Sequence, residues 1–224
     1  YEGMERFFPA EKILFTGNPV RQNLLDTSVL KDEAVRSFGL IPGKRTILIV
    51  GGSLGARTLN ESVLGNLPLV KQQSKVQFVW QTGKYYSEQI KAELERRGCP
   101  ENLKVMDFIS DMKQAYAAAD LVISRAGAGS ISEFCLLGKP VILVPSPNVA
   151  EDHQTKNALA LVQKSAALYV ADADARRTLL PLAINTVEDH NKLEGLSRNI
   201  VQLARPNAAS DIADEVIRLA EGGK

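Results

Sequence analysis

From residue 46 to about residue 170 the chain alternates between short branched apolar runs and longer amphipathic stretches, and this alternation limits it to few folds. Residues 46–50 (TILIV), 76–81 (VQFVWQ), 103–106 (LKVM), 121–124 (LVIS) and 140–144 (PVILV) have the length and Ile/Val content of buried strands, and 168–170 reads as a sixth. Helices are predicted between them over about 56–70, 85–97, 112–119, from near Ser130, and over 152–164. Strand–helix–strand units of this kind cross over right-handed and build a parallel sheet covered on both faces. The expected fold is therefore α/β, a Rossmann-like doubly wound parallel sheet. Beyond residue 170 the pattern turns helical, over about 173–187, 191–204 and 209–220, with Pro206 breaking before the last helix. Upstream, residues 12–16 (KILFT) read as a short extra strand closed by the turn Gly17-Asn18-Pro19.

Such sheets bind ligands at the carboxyl ends of their strands, in the loops that lead into the helices. The loops after residues 50, 81, 106, 124 and 144 are thus the informative ones. The first, Gly51-Gly52-Ser53-Leu54-Gly55, fits the G-x-S-x-G elbow of serine hydrolases. An elbow serine needs a histidine oriented by a carboxylate, and the chain has only His153 and His190. His190 sits in an exposed-looking junction, and the elbow normally follows several strands rather than the first. A nicotinamide-dinucleotide fingerprint wants an acid ending the second strand, where this chain has Trp80-Gln81-Thr82-Gly83. What remains is a turn that cradles a phosphate with backbone N–H groups, or a serine that merely caps a helix. On this loop alone both readings stand.

The second glycine loop, residues 124–134 (SRAGAGSISEF), tilts the balance toward a ligand, since two glycines let it approach the backbone closely. Glu133 has two roles open to it. Ser130-Ile131-Ser132-Glu133 is a capping box, in which the carboxylate bonds back to the Ser130 N–H. Alternatively the carboxylate accepts from the two adjacent hydroxyls of a ribose, a suitable partner because an ionised carboxylate only accepts. In residues 145–158 (PSPNVAEDHQTKNA), His153, Gln154 and Asn157 bring groups suited to sugar hydroxyls, or are plain solvated polar surface.

Composition removes several classes. The formal net charge of +1 leaves no electrostatic footprint for nucleic acid. Cys99 and Cys135 lie far apart, outside any C-x-x-C spacing and without neighbouring histidines, so neither a disulfide scaffold nor a metal site is expected, and a reducing compartment is. No cofactor is expected. No apolar run approaches a membrane span and no signal peptide is visible. The opening Tyr1-Glu2-Gly3 has no initiator Met, so the chain is read as processed or as part of something longer.

Five segments in order, GNPVR, GGSLGAR, DFISDM, RAGAGSISE and EDHQTKNA, resemble the MurG family of bacterial glycosyltransferases, from about residue 2 to the end. The family moves N-acetylglucosamine from UDP-N-acetylglucosamine to lipid I, giving lipid II for peptidoglycan synthesis. The resemblance implies the C-terminal, donor-binding half of a two-domain GT-B enzyme. Residues 1–21 would end the N-terminal half and form the linker. Residues 22–205 would be the Rossmann-like donor domain, and 206–224 a helix crossing back. It also implies roles. Arg21 would contact the donor, Ser53 the diphosphate, the Ile109 backbone the uracil edge, and Met112 the base. Ala128, Gly129, Ser130, Ile131 and Ser132 would line the phosphates and ribose, with Glu133 on the ribose diol. His153, Gln154 and Asn157 would face the sugar. His153 stands where some relatives have Gln, and Gly129 where some have a larger apolar residue. The resemblance places the catalytic residue, the lipid I site and the membrane-docking patch in the other half, so no catalytic residue is expected here. The full-length enzyme would be cytoplasmic and peripheral on the inner face of the cell membrane. Without that half, Phe7, Phe8, Ile13, Leu14 and Phe15, with Ile212, Val216 and Leu219, are expected to drive self-association. Another GT-B enzyme, a UDP-N-acetylglucosamine epimerase, or a non-catalytic nucleotide-sugar-binding subunit stand as alternatives.

Overall fold

The structure, a computed structural model, describes residues 8–25 and 29–222. In chain order the elements are α1 (Lys31–Ser37), β1 (Arg45–Val50), α2 (Arg57–Gly65), α3 (Leu67–Lys71), β2 (Val76–Gln81), α4 (Ser87–Arg97), β3 (Leu103–Met106), α5 (Met112–Ala118), β4 (Leu121–Ser124), α6 (Ala128–Leu137), β5 (Val141–Leu143), α7 (His153–Gln163), β6 (Leu168–Tyr169), α8 (Asp172–Glu188), α9 (His190–Val201) and α10 (Ala208–Gly222). The six strands form one sheet in the order β3-β2-β1-β4-β5-β6. Every pairing is parallel. This is the doubly wound architecture that the alternation predicts.

Period-two alternation along each strand feeds two cores. From β1 and β2, Ile47, Ile49, Phe78 and Trp80 point into the layer shared with α2 and α8. Leu48, Val50 and Val79 point into the opposite layer, with Ala34 and Val35 of α1, Ala115 and Tyr116 of α5 and Phe134 of α6. With both faces covered, β1 and β2 carry no exposed side. At the amino end, Asp120 holds β1, β4 and α1 together: it accepts from the Thr46 N–H at 2.8 Å, from Arg45 at 2.9 Å and from Lys31 at 2.5 Å. Strand order reverses between β1 and β4, so the crevice at their carboxyl ends is where a ligand fits.

Three expectations are corrected, and one helix is added. Residues 12–16 do not form a strand: Ala10–Lys12 is a 3-10 turn, and the extended residues after it have no strand partner among the described residues. KILFT has strand composition, but a strand exists only where an edge is present to pair with it. The helix predicted over 56–70 is two, because Pro68 offers no N–H to continue the first and the chain restarts at Asn66. α1 went unpredicted. The helix after the second glycine loop starts at Ala128, ahead of Ser130. Phe7 lies outside the described residues.

Candidate functional site

Four loops converge at the carboxyl end of the sheet. The first turns at Gly52 and Gly55, whose φ angles of 84° and 85° lie in the left-handed region that favours glycine. Gly55 also has no room for a side chain: a Cβ there would sit 2.1 Å from the Thr82 carbonyl oxygen. The loops after β1 and β2 are therefore in backbone contact. Asn60 locks them further, donating to the Thr82 carbonyl at 2.9 Å while accepting the Trp80 indole N–H at 3.0 Å. Ser53 stands exposed at the tip of this rigid turn.

That geometry bears on the cap and hydrolase readings of the first loop. Ser53 is not a helix cap, since the N-cap of α2 is Ala56. Nor does either histidine bond it: His153 Nδ1 lies 2.8 Å from the Ala150 carbonyl, and His190 pairs with Glu194 at 3.2 Å. No charge-relay system is assembled, and the backbone turn remains.

The second glycine loop ends at Gly127, the N-cap of α6, with no side chain capping the helix. The N–H groups of Ala128, Gly129 and Ser130 belong to the first turn, which has no intrahelical partners. They lie at the positive end of the helix dipole, a geometry able to receive an anion. Ser130 thus lies inside the helix, and the capping box is not formed. Glu133 sits more than one turn beyond the helix start at Ala128, with each carboxylate oxygen held by a different element. Oε1 accepts from Arg21 Nη2 at 3.2 Å, and Oε2 accepts from the Tyr116 hydroxyl at 2.7 Å. Tyr116 is only 3% exposed, and its ring packs edge-on against Phe134 with centroids 5.8 Å apart. Burial, reinforced by the Glu133 charge, pushes the Tyr116 hydroxyl well above the usual tyrosine range, so it is a permanent donor. Asn18 reaches the same helix, donating to Ser132 Oγ at 3.2 Å.

After β3, Ile109 is buried as a whole residue, packed in the core layer with Ala115 and Tyr116 of α5. Met112 opens α5, where Asp111 caps the helix by accepting from the Gln114 N–H at 3.1 Å. Phe108 is exposed beside them, with Lys84 Nζ 5.2 Å from its ring centre.

The fourth loop enters α7 through Glu151 and Asp152, both with left-handed backbone, at φ 52° and 51°. Gln154 is a staple as well as a candidate reader. Its Oε1 accepts from the Ala126 N–H at 3.2 Å and from the Ser146 N–H at 2.9 Å, which ties the second glycine loop to the proline loop and leaves Nε2 to donate. Asn157 turns its amide onto the Ala126 carbonyl at 3.2 Å. His153 is exposed. A cavity of about 620 Å³ opens between Gly51, Gly55, Arg125, Ser146, Asn148 and Gln154.

Three residues here escaped sequence reasoning: Tyr116, Asn18 and Arg125. Arg125 donates to the Val144 and Pro145 carbonyls at 3.0 and 3.1 Å and pairs with Asp172. Asp172 also accepts from Thr58 at 2.9 Å. Asp172-Ala173-Asp174 has the Asp-x-Asp spacing of some metal sites, but its first carboxylate is taken up by these partners. Among the described residues no group of three or more His, Cys, Asp or Glu could hold a metal ion.

The model of the glycosyltransferase family 28 C-terminal domain matches residues 46–216. A Bacteroides fragilis protein named UDP-N-acetylglucosamine–N-acetylmuramyl-(pentapeptide) pyrophosphoryl-undecaprenol N-acetylglucosamine transferase is 63% identical over 99% of this chain. The chain spans 58% of that relative's length. The crystal structure of Acinetobacter baumannii MurG superposes with a TM-score of 0.72 at 31% identity, covering 94% of this chain and 57% of that one. UDP-GlcNAc 2-epimerase from Neisseria meningitidis, solved with UDP-GlcNAc bound, gives a TM-score of 0.68 over 96% of this chain and 58% of that one. At 17% identity it shares the fold alone.

Proposed function

The chain belongs to glycosyltransferase family 28, whose C-terminal domain it carries, and we propose that it is the donor-binding part of an enzyme that moves N-acetylglucosamine from UDP-N-acetylglucosamine to lipid I, giving lipid II. The observation that carries this reading is Glu133, a partly exposed carboxylate in the helix whose uncapped N-terminus closes the second glycine loop. Uracil would be read by the Ile109 main chain beside Met112. The ribose hydroxyls would donate to Glu133. The diphosphate would lie on the Ala128–Gly129–Ser130 N–H groups and against the turn that carries Ser53. The sugar would reach Gln154 Nε2, with His153 and Asn157 close by. Arg21 is the exchangeable member. Its side chain is 55% exposed, so its ion pair with Glu133 is worth about 0–1 kcal/mol. A ribose hydroxyl can replace it on Oε1, which frees the guanidinium for the diphosphate.

Transfer would be an inverting displacement. The acceptor hydroxyl oxygen attacks the anomeric carbon as the bond to the β-phosphate oxygen breaks, and UDP departs with the electron pair. Helix-end N–H groups and Arg21 would stabilise the charge growing on the leaving diphosphate. The hydroxyl proton would pass to a base supplied by the additional length that the relatives possess, as would the lipid I site. This acceptor implies a peripheral protein at the cytoplasmic face of the membrane. Among the described residues no helix is long and apolar enough to cross a membrane.

Titration calorimetry with UDP, ADP and GDP tests the reading. Saturable heat is expected for UDP alone; equal heats for all three, or none for UDP, would refute it.

A further inference from the structure

Glu133 has two oxygens, and the terminal torsion of a glutamate is broad and roughly two-fold. Left to itself the carboxylate would present its lone pairs in many directions. Tyr116 removes that freedom. Its ring is packed in the core against Phe134, the residue that follows Glu133, and its hydroxyl meets Oε2 at 2.7 Å. The opposite oxygen accepts from the exposed Arg21. The two contacts differ in kind: one is buried and built from the core, the other is solvated and exchangeable.

We propose that Tyr116 is a positioning residue for ribose recognition: by fixing one oxygen of Glu133 it aims the other at the nucleotide's hydroxyls, and so sets the preference for a ribonucleotide over one lacking them. This rests on the reading of Glu133 as the ribose acceptor. Tyr116 touches no ligand itself. Its effect should appear only on ligands that carry ribose hydroxyls, which separates positioning from a general contribution to packing.

The test compares UDP with its 2′,3′-dideoxy analogue on the 224-residue chain and on Tyr116→Phe, by calorimetry. Phenylalanine keeps the ring against Phe134 and removes only the hydroxyl. The unsubstituted chain should prefer UDP by roughly 10-fold or more, as expected of hydrogen bonds to a charged group. In Tyr116→Phe the affinity for UDP should fall about 5-fold, that for the dideoxy analogue should stay within about twofold, and the preference should narrow accordingly. In a Glu133→Gln background, Tyr116→Phe should not narrow the preference further, since the carboxylate it positions is gone. A Tyr116→Phe protein that keeps the full preference, or loses affinity for both ligands equally, overturns the positioning role while leaving Glu133 as the ribose acceptor. An unsubstituted chain that shows no preference, or no saturable UDP binding, overturns both.

Discussion

Replacing Glu133 by alanine removes two kinds of interaction at once, and the structure separates their sizes. In the free protein the main loss is the partner of the Tyr116 hydroxyl. That hydroxyl is buried, and a buried donor without an acceptor costs about 1–3 kcal/mol. The Arg21 contact adds little, because the guanidinium is more than half exposed. Alanine regains a few tenths of a kcal/mol through helix propensity. The net loss of stability is about 1–2 kcal/mol, or roughly 2–8 °C in Tm for a chain of this length. UDP binding should lose about 1.5–3 kcal/mol on top of that, a factor of roughly 10–150. Glu133→Gln separates the two effects, since its amide oxygen still accepts from Tyr116 but the charge is gone. Its Tm should stay near the parent's while affinity falls. Thermal unfolding and calorimetry on the same preparations provide both readouts. If Glu133→Ala loses stability as stated but binds UDP with parental affinity, the carboxylate is a structural partner of Tyr116 and the ribose assignment fails.

Three further outcomes follow from the same geometry. Burial holds Lys139 down at about 8, against the pull of Asp120 and with the help of Lys31, so below that pH the folded protein carries a charge it would rather lose. The unfolded chain then binds the extra proton between about pH 8 and the ordinary lysine value, so stability should rise with pH across that window by at most ~1.4 kcal/mol per unit; Lys139→Met should abolish that slope in pH-dependent denaturant melts. A fluorophosphonate probe should leave Ser53 unlabelled, because no histidine is placed to activate it; labelling abolished by Ser53→Ala would restore the hydrolase reading. Incubated alone with UDP-N-acetylglucosamine and a soluble lipid I analogue, this chain should show no transfer. In sedimentation it should self-associate with concentration through exposed Phe8, Leu14, Phe15, Val216 and Leu219; full turnover, or a monomer at all concentrations, would contradict these expectations.

The sheet was legible because a strand buried on both faces must be apolar at every position, and TILIV, VQFVWQ and LVIS are nearly so. The parts that misled are those whose conformation is decided by distant partners. α1 is seven residues long, too short to announce itself by periodicity; it is held by burying Ala34 and Val35 and by the bond from Lys31 to Asp120. KILFT shows the converse, strand composition with no edge beside it.

In the candidate site, glycines were the readable signal, because a turn that passes another backbone at Gly55 and Gly83 admits no other residue. Side-chain pairings were harder to see. S-x-x-E before an apolar run describes a capping box only if the helix begins at the serine, and here it begins at Ala128. With the N-cap at Gly127 instead of Ser130, three residues earlier, Glu133 is released from a local partner and handed to Arg21 and Tyr116, which lie 112 and 17 residues away in the chain. Tyr116 itself, in the segment AYAAAD, reads as an ordinary core aromatic, and its ring is one. Only the hydroxyl departs from that role, and no local pattern marks where a tyrosine's oxygen will emerge. Arg125 and Asp172 follow the same logic: each looks like surface charge in sequence, and each is spent tying α8 to the strand ends that frame the cleft. Backbone shape at such a cleft is written locally, whereas the orientation of its polar groups depends on packing between elements that the sequence keeps far apart.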